Sequence, residues 1–229
     1  MSGHLLIVST RKILLGLVLA LGVSIALHAI SPNIADSDSF FYIRQAWHYR
    51  THGLFDVSFP WAQFTVLRTF SATLWYGFGL ALIPFTFFEN LTIGIAVAGV
   101  LLTALVLGVY GYVSHRHRFR FPLLWPILFL FSAPNVLYRL LMMRPQLVSL
   151  ACAILLVSLL TGSSSLAAIA AVTFAGAWLH FNFVWMPVLI FAVVALAAVA
   201  FERRILWREG VAVLAGVLAG WLLRPQPLD

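Results

Sequence analysis

Long runs of apolar residues, separated by short polar stretches, dominate the pattern of this chain. The runs cover residues 13–30, 91–113, 121–137, 146–161, 166–181, 184–201 and, more briefly, 211–223. About 18 or more apolar residues can span a hydrocarbon core of about 30 Å as a helix. Lipid offers no partners for backbone groups, so such runs are expected to be helical. The pattern therefore predicts an all-α, polytopic transmembrane bundle with about seven full crossings.

The longest polar stretch, residues 33–69, follows the first apolar run. Within it, Ser37 or Asp38 can cap the start of a helix, and Gly53 is a natural stop. Aromatic and apolar side chains recur there at helical spacing, at Phe40, Ile43 and Trp47. Polar ones fall largely on other faces, at Arg44, Gln45, His48 and Thr51. We therefore expect a helix that lies along the membrane interface with its aromatic side chains toward lipid.

Charge bias decides whether the aromatic-rich segment 70–88, which contains Pro84, crosses the membrane. If it does not cross and the N-terminus is cytoplasmic, the inside loops carry Arg11, Lys12, Arg116, Arg118, Arg120, Arg203, Arg204 and Arg208. The outside then carries Arg44, Arg50, Arg68, Arg139, Arg144 and Arg224. This arrangement fits the positive-inside rule better than its rival. We predict a shallow, re-entrant or juxtamembrane element at 70–88, and one transmembrane domain over 1–229 whose outer loop is 33–90.

Composition strengthens the membrane interpretation and narrows the chemistry. Hydrophobic residues make up 62% of the 229 residues and charged residues 9%, far from the proportions of soluble domains. The net charge of +7 would suggest nucleic acid in a soluble protein, but here the basic residues flank apolar runs. They indicate topology and contact with anionic membrane lipid, and no nucleic-acid partner. The single cysteine, Cys152, excludes an internal disulfide and a cysteine-based metal site.

Two acidic residues, Asp36 and Asp38, stand one residue apart just after the first apolar run, in a chain with only 7 acidic residues. Two carboxylates at a membrane surface can hold a divalent cation such as Mg²⁺ or Mn²⁺. A single aspartate there can also act as a general base. The alternative is structural: Asp38 caps the interface helix and Asp36 is solvated.

Basic and polar residues in the other predicted outer segments form the second set of candidates. Arg44, Arg139, Arg144 and Arg224 can make bidentate contacts to a phosphate or pyrophosphate headgroup, or they can simply extend to the interface. His180 and Asn182 interrupt an apolar hairpin, where polar side chains are often functional, although a plain surface turn has the same pattern. On the predicted topology all of these lie on the same side as Asp36 and Asp38.

Several short motifs resemble those of GT-C-type membrane glycosyltransferases. Asp36-Ser37-Asp38-Ser39-Phe40-Phe41-Tyr42-Ile43-Arg44 resembles the first outer-loop motif of oligosaccharyltransferase catalytic subunits and their bacterial relatives. Similar later features are Phe59-Pro60-Trp61-Ala62-Gln63-Phe64, Leu82-Ile83-Pro84-Phe85, Arg144-Pro145-Gln146, Trp178-Leu179-His180 and Leu223-Arg224-Pro225. The resemblance implies sugar transfer on the outer face from a polyprenyl-phosphate or polyprenyl-pyrophosphate donor. It implies that Asp38 is the catalytic residue, which would bind a divalent metal or activate the acceptor, and that Asp36 is the neighbouring acidic residue.

The sequence also departs from that family. Tyr42 stands where the family often has His or Asn, and residues 138–146 lack the usual second carboxylate. Where bacterial relatives have Asp and His, this chain has Ala72, Thr73 and Trp75. A metal site would be short of ligands. Two interpretations stay open beside the enzyme: a non-catalytic protein, truncated or degenerate, that binds polyprenyl lipid or a partner subunit, and a small transporter subunit. The expected location is a bacterial inner or plasma membrane.

Overall fold

The computed structural model describes residues 10–31, 34, 36–60, 64, 74–162 and 165–225. Within these ranges the secondary structure is helical, and they contain no β-strand. The α-helices are α1 (Thr10–Ile30), α2 (Asp38–His52), α3 (Tyr76–Ala81), α4 (Leu91–Arg116), α5 (Leu124–Leu130), α6 (Pro134–Leu140), α7 (Pro145–Thr161), α8 (Leu166–Leu179), α9 (Trp185–Ala197) and α10 (Trp207–Leu222). Short 3₁₀ turns lie at Ile83–Phe87 and Phe181–Phe183, and a π turn lies at Ala198–Glu202.

Three helical segments are long and apolar enough to cross a membrane: Ile13–Ile30, Leu91–Arg116 and Phe181–Glu202. A fourth is obtained if α6 and α7, which meet at 111°, count as one broken span. These segments support an all-helical membrane protein. Three or four full-length spans are fewer than the seven crossings expected from the sequence. Helices α8 and α10 have only 14 and 16 residues, and the expected span over 121–137 is divided between two short helices.

Helices α1 and α4 lie antiparallel and define the two ends of the bundle. Ser24 Oγ, near the end of α1, donates to the carbonyl of Val100 in the first half of α4 at 2.6 Å. Earlier in α1, Leu17 lies beside Gly108 in the second half of α4. The end where α1 stops, α2 lies and α4 begins is called here the Asp36 end. The opposite end, where α4 stops, is called the Arg116 end.

The expectation of one spanning segment over 121–137 is wrong, because this stretch forms the two seven-residue helices α5 and α6. Pro134 starts α6, and Ala133 before it is extended (φ −159°, ψ 147°) as the pyrrolidine ring requires. Leu130 nevertheless packs beside Val106 and Leu107 of α4, and the Leu140 carbonyl accepts from Thr103 Oγ1 at 2.5 Å. The broken pair therefore still leads the chain from the Arg116 end toward the Asp36 end.

Helices α7, α8 and α10 complete the bundle. His117 Nε2 lies 2.9 Å from Ser158 Oγ, which places the last turns of α7 at the Arg116 end. α8 returns antiparallel to α7 and contacts α10 closely through small residues. A Cβ added at Gly216 of α10 would lie only 2.0 Å from Thr173 Oγ1, so the two backbones approach as closely as glycine permits.

The predictions for the outer loop are confirmed only in part. In the described part of segment 70–88, residues 74–88, only the six-residue α3 and a 3₁₀ turn occur, so no full crossing forms there. α2 begins at Asp38 and ends before Gly53 (φ 124°), as predicted. Gln45 and His48, which the sequence placed on faces other than the aromatic one, are both buried. α2 packs against α3, α4 and the 3₁₀ turn, so much of its surface faces protein rather than lipid or water.

Candidate functional site

One guanidinium holds both carboxylates of the acidic pair. Arg144 Nε donates to Asp36 Oδ2 at 2.5 Å, and Arg144 Nη2 donates to Asp36 Oδ1 at 2.6 Å. The same Nη2 lies 2.9 Å from Asp38 Oδ2. The contact with Asp36 is the bidentate geometry in which arginine binds carboxylates most strongly. Residues 108 positions apart in the chain thus meet at the Asp36 end of the bundle.

Local backbone structure explains how these three side chains are placed. Asp36 lies two residues before α2, and its Oδ1 accepts the backbone N–H of Asp38 at 3.2 Å. Asp36 therefore performs the capping that we assigned to Ser37 or Asp38, and Ser37 makes no side-chain cap bond. Arg144 precedes Pro145, whose ring holds it in an extended conformation (φ −130°, ψ 148°) at the start of α7.

The two carboxylates differ in their surroundings. The Asp36 side chain is 5% exposed and that of Asp38 is 52% exposed. Burial alone would raise the pKa of Asp36, but the Arg144 hydrogen bond, the Asp38 N–H and the charges of Arg144 and Arg139 outweigh it and lower the pKa. The expectation that Asp36 is solvated is therefore wrong. Asp38 is the carboxylate that a molecule at the surface can reach.

Tyr42 lies one turn after Asp38 on α2. Burial, reinforced by the negative charge of Asp38, raises the pKa of its phenol to about 12. Its ring packs edge-on against Trp75, with 5.6 Å between centroids. Tyr42 therefore keeps its proton at neutral pH and can act only as a hydroxyl beside the carboxylates.

The residues described here do not fit a divalent cation at Asp36 and Asp38. Arg144 engages three of their four carboxylate oxygens. In the described ranges there is no group of three or more His, Cys, Asp or Glu side chains that could hold a metal ion. Mg²⁺ and Mn²⁺ prefer carboxylate oxygens, and Arg144 already occupies the oxygens that they would need here.

A second cluster contains the other predicted residues from the C-terminal third. His180, which is 1% exposed, lies with its Nδ1 2.8 Å from Ser149 Oγ of α7. The Arg224 guanidinium lies 3.9 Å from the centroid of the Phe181 ring. Trp178 Nε1 donates to the Leu223 carbonyl at 3.2 Å, which ties the end of α10 to the end of α8.

The two clusters are neighbours, joined through the segment before α3. The Phe181 N–H donates to the Leu74 carbonyl at 2.7 Å, and the next residue, Trp75, packs on Tyr42. The structure therefore brings Asp36, Asp38 and Arg144 into direct contact, and it places His180 and Arg224 in the adjoining cluster.

Two predicted residues make none of the contacts described for the two clusters. Arg44 stacks on Trp47 at 4.1 Å and lines a separate cavity of about 390 Å³ with Phe40, Phe41 and Leu91. Asn182 is exposed on the Phe181–Phe183 turn. Arg68, Ala72, Thr73 and the 61–63 part of the loop motif lie outside the described residues.

Sequence reasoning missed Ser149 as the partner of His180 and Trp75 as the contact of Tyr42. Ser149 carries a detectable signal, because it is a polar residue in the apolar helix α7, five positions after Arg144. Such residues in membrane helices usually have a partner. Trp75 carries no such signal, because its role depends on how α3 folds back on α2.

Comparison of the chain with protein-family models, with curated proteins and with solved structures finds no match. The likeness to GT-C glycosyltransferases therefore rests on the short motifs alone. The geometry of the ionic cluster is an observation separate from those motifs.

Proposed function

We propose that this protein is a GT-C-like membrane glycosyltransferase, which transfers a sugar from a polyprenyl-phosphate or polyprenyl-pyrophosphate donor at the Asp36 end. The observation that supports this most strongly is the meeting of Asp36, Asp38 and Arg144 in one ionic cluster. Carboxylates and guanidinium groups are the side chains that deprotonate a hydroxyl and bind a phosphate. The apolar bundle around them suits a donor with a polyprenyl tail.

The environments suggest a role for each side chain. Asp38, half exposed, is the general base for an acceptor hydroxyl. Asp36, buried and doubly hydrogen-bonded, is a positioning residue that fixes Arg144. Arg144 and, from the neighbouring cluster, Arg224 bind the phosphate of the donor, a task for which the planar guanidinium is suited. No step in this scheme requires a metal ion.

The proposal includes a topology. In it the N-terminus is cytoplasmic, the Asp36 end faces outward and the protein lies in a bacterial inner membrane. The short helices α8 and α10 and the broken pair α5–α6 cross together with the full-length spans, which gives seven passes. Antiparallel packing of α8 on α7 and the route of α5–α6 along α4 support this count.

The test compares Asp38→Asn with Asp56→Asn in protein reconstituted into liposomes. The substrates are polyprenyl-phosphate-linked sugars that carry a radiolabel on the sugar, with a membrane extract as acceptor. Loss of a general base should reduce transfer by at least about 100-fold. Asp56, whose carboxylate lies 3.0 Å from His48 in the same outer loop, is the matched control and should leave transfer within about twofold. Undiminished transfer by Asp38→Asn contradicts the assignment.

A second function is favoured by one observation: Arg144 already neutralises both carboxylates. A non-catalytic protein that binds polyprenyl phosphate, or a partner subunit, would need no free base. In that case wild-type liposomes would transfer no label, yet they would retain polyprenyl phosphate in preference to unphosphorylated polyprenol. Arg224→Gln should then reduce this preference, and Asp38→Asn should not.

A further inference from the structure

An apolar groove runs along the outside of the bundle at the Arg116 end, between α1, α4 and the start of α5. It has a volume of about 520 Å³, and the side chains along it include Ile13, Leu105, Tyr112 and Leu123. A smaller cavity of about 100 Å³ shares Leu123 and continues toward Val23. The two cavities form one channel, called here the α1–α4 groove.

Glycine creates the floor of this groove. Gly16 and Gly111 line both cavities, and a Cβ added at Gly16 would have no atom within 4 Å. From Ile13 to Val23 the groove extends over about 15 Å of helix at 1.5 Å per residue. That is half of a hydrocarbon core of about 30 Å, which is the depth of one leaflet. The dimensions match a single extended acyl chain.

A basic loop adjoins the groove at the end lined by His115 and Pro122, which is called here the mouth. Residues 117–121 of this loop connect the two along the chain. Arg118 and Arg120 in this loop are both exposed. Backbone bonds from Phe119 to the Ser114 carbonyl, at 2.9 Å, and the Trp125 side chain bonded to the Arg120 carbonyl, at 3.1 Å, hold the loop in place.

The charge at this mouth has no acidic counterpart in the sequence nearby. No Asp or Glu occurs between Glu89 and Glu202, nor before Asp36. The helices that form the groove and the loop above it thus contribute positive charge alone. An occupant with an apolar chain and a negative head would satisfy both parts of the site.

We propose that the α1–α4 groove binds an anionic phospholipid, with one acyl chain along Gly16 and Gly111 and the phosphate at Arg118 and Arg120. This site lies at the opposite end of the bundle from Asp38 and does not depend on the proposed sugar transfer. A zwitterionic lipid of the same chain length would fill the groove but would gain less from the two arginines.

The test is native mass spectrometry of the full chain in mild detergent, with equimolar phosphatidylglycerol and phosphatidylcholine that carry identical acyl chains. We expect wild-type protein to retain phosphatidylglycerol preferentially. Arg118→Gln combined with Arg120→Gln should lower its binding by about 25-fold, roughly fivefold for each arginine, without changing phosphatidylcholine. Arg204→Gln, an exposed arginine that is not part of the loop, is the control and should change neither lipid.

A second variant tests the acyl-chain part. Gly16→Leu fills the groove and should reduce the binding of both lipids, because it removes the space for the chain. Gly22→Leu is the matched control: it lies on the same helix, also has no atom within 4 Å of an added Cβ, and does not line the groove. Near-equal helix content of the two variants by circular dichroism checks that both are folded.

Three results would overturn the proposal. The first is equal retention of the two lipids by wild-type protein. The second is equal lipid binding by Gly16→Leu and Gly22→Leu. The third is a dimer of the chain, lost in Gly16→Leu, in place of bound lipid, since a helix of a second copy would then occupy the groove.

Discussion

Arginine side chains occur at both ends of the bundle, in opposite surroundings. At the Asp36 end, Arg144 is enclosed by Asp36 and Asp38 and is 19% exposed. At the Arg116 end, Arg118 and Arg120 are exposed in a loop whose flanking helices contain no carboxylate. Arg144 is thus neutralised by carboxylates of the same chain, whereas Arg118 and Arg120 are exposed to other molecules.

This difference indicates what each arginine contributes. A guanidinium that makes a bidentate contact with a buried carboxylate stabilises the folded state. Its removal leaves the carboxylate charge buried without a partner. An exposed guanidinium contributes little to folding and remains available to a phosphate. Substitution of Arg144 should therefore change stability, whereas substitution of Arg118 and Arg120 should change binding and leave stability nearly unchanged.

The largest effect is expected from Arg144→Leu. The substitution leaves the Asp36 carboxylate, which is 5% exposed, without the partner that donates two hydrogen bonds to it. We expect a loss of about 2–4 kcal/mol in the free energy of unfolding, somewhat below the range for fully buried pairs because Arg144 is partly exposed. Thermal unfolding in neutral detergent measures this loss.

Arg204→Leu is the control for that measurement. Arg204 lies 3.9 Å from Glu202, and both side chains are more than half exposed, so its removal should change stability by no more than about 0.5 kcal/mol. Similar losses in the two variants would show that Arg144 is no more structural than a surface arginine, and the contrast between the ends would disappear.

An effect of intermediate size on stability is expected when the pH is lowered. The pKa of Asp36 is lowered in the folded protein, so its contribution to stability is complete above the ordinary pKa of 3.8. As the pH falls below that value the unfolded chain takes up the proton first, and the contribution is lost through the folded-state pKa. Unfolding of wild-type protein measured down through this window should show declining stability, whereas Asp36→Asn should decline less.

One outcome of the pH experiment would contradict this prediction. Equal slopes for wild-type protein and Asp36→Asn below about pH 4 would mean that Asp36 titrates alike in the folded and unfolded states. Asp38→Asn, which removes the more exposed carboxylate and leaves the bidentate contact, serves as the comparison.

The lengths of the apolar runs and the position of a helix-ending glycine predicted the main helices well. The runs that became α1, α4 and α7 were assigned from apolar length, and Gly53 correctly marked the end of α2. The break in 121–137 was missed because Pro134 lies within an apolar run, where hydropathy outweighs a single proline. The burial of Gln45 was missed because it depends on how other elements pack against α2, which no local pattern encodes.

The candidate site was predictable in part. Charge bias in the sequence predicted that Asp36, Asp38 and Arg144 lie on the same side of the membrane, and this was enough to group them. The exact pairing could not be predicted, since it depends on where α7 starts relative to α2. His180 and Arg224 were grouped with them as well, but the Phe181 ring and the Leu74 carbonyl place them in an adjoining cluster.

The smallest effect on stability is expected at the Arg116 end, from Arg118→Gln combined with Arg120→Gln. In neutral detergent the free energy of unfolding should stay within about 0.5 kcal/mol of wild type, because both side chains are exposed and neither forms an ion pair with a carboxylate of the described residues. Added phosphatidylglycerol should raise the unfolding temperature of the wild type and not that of the double variant, since a ligand stabilises only the state that binds it. A loss above about 1 kcal/mol in neutral detergent would instead place these arginines, like Arg144, in contacts within the protein.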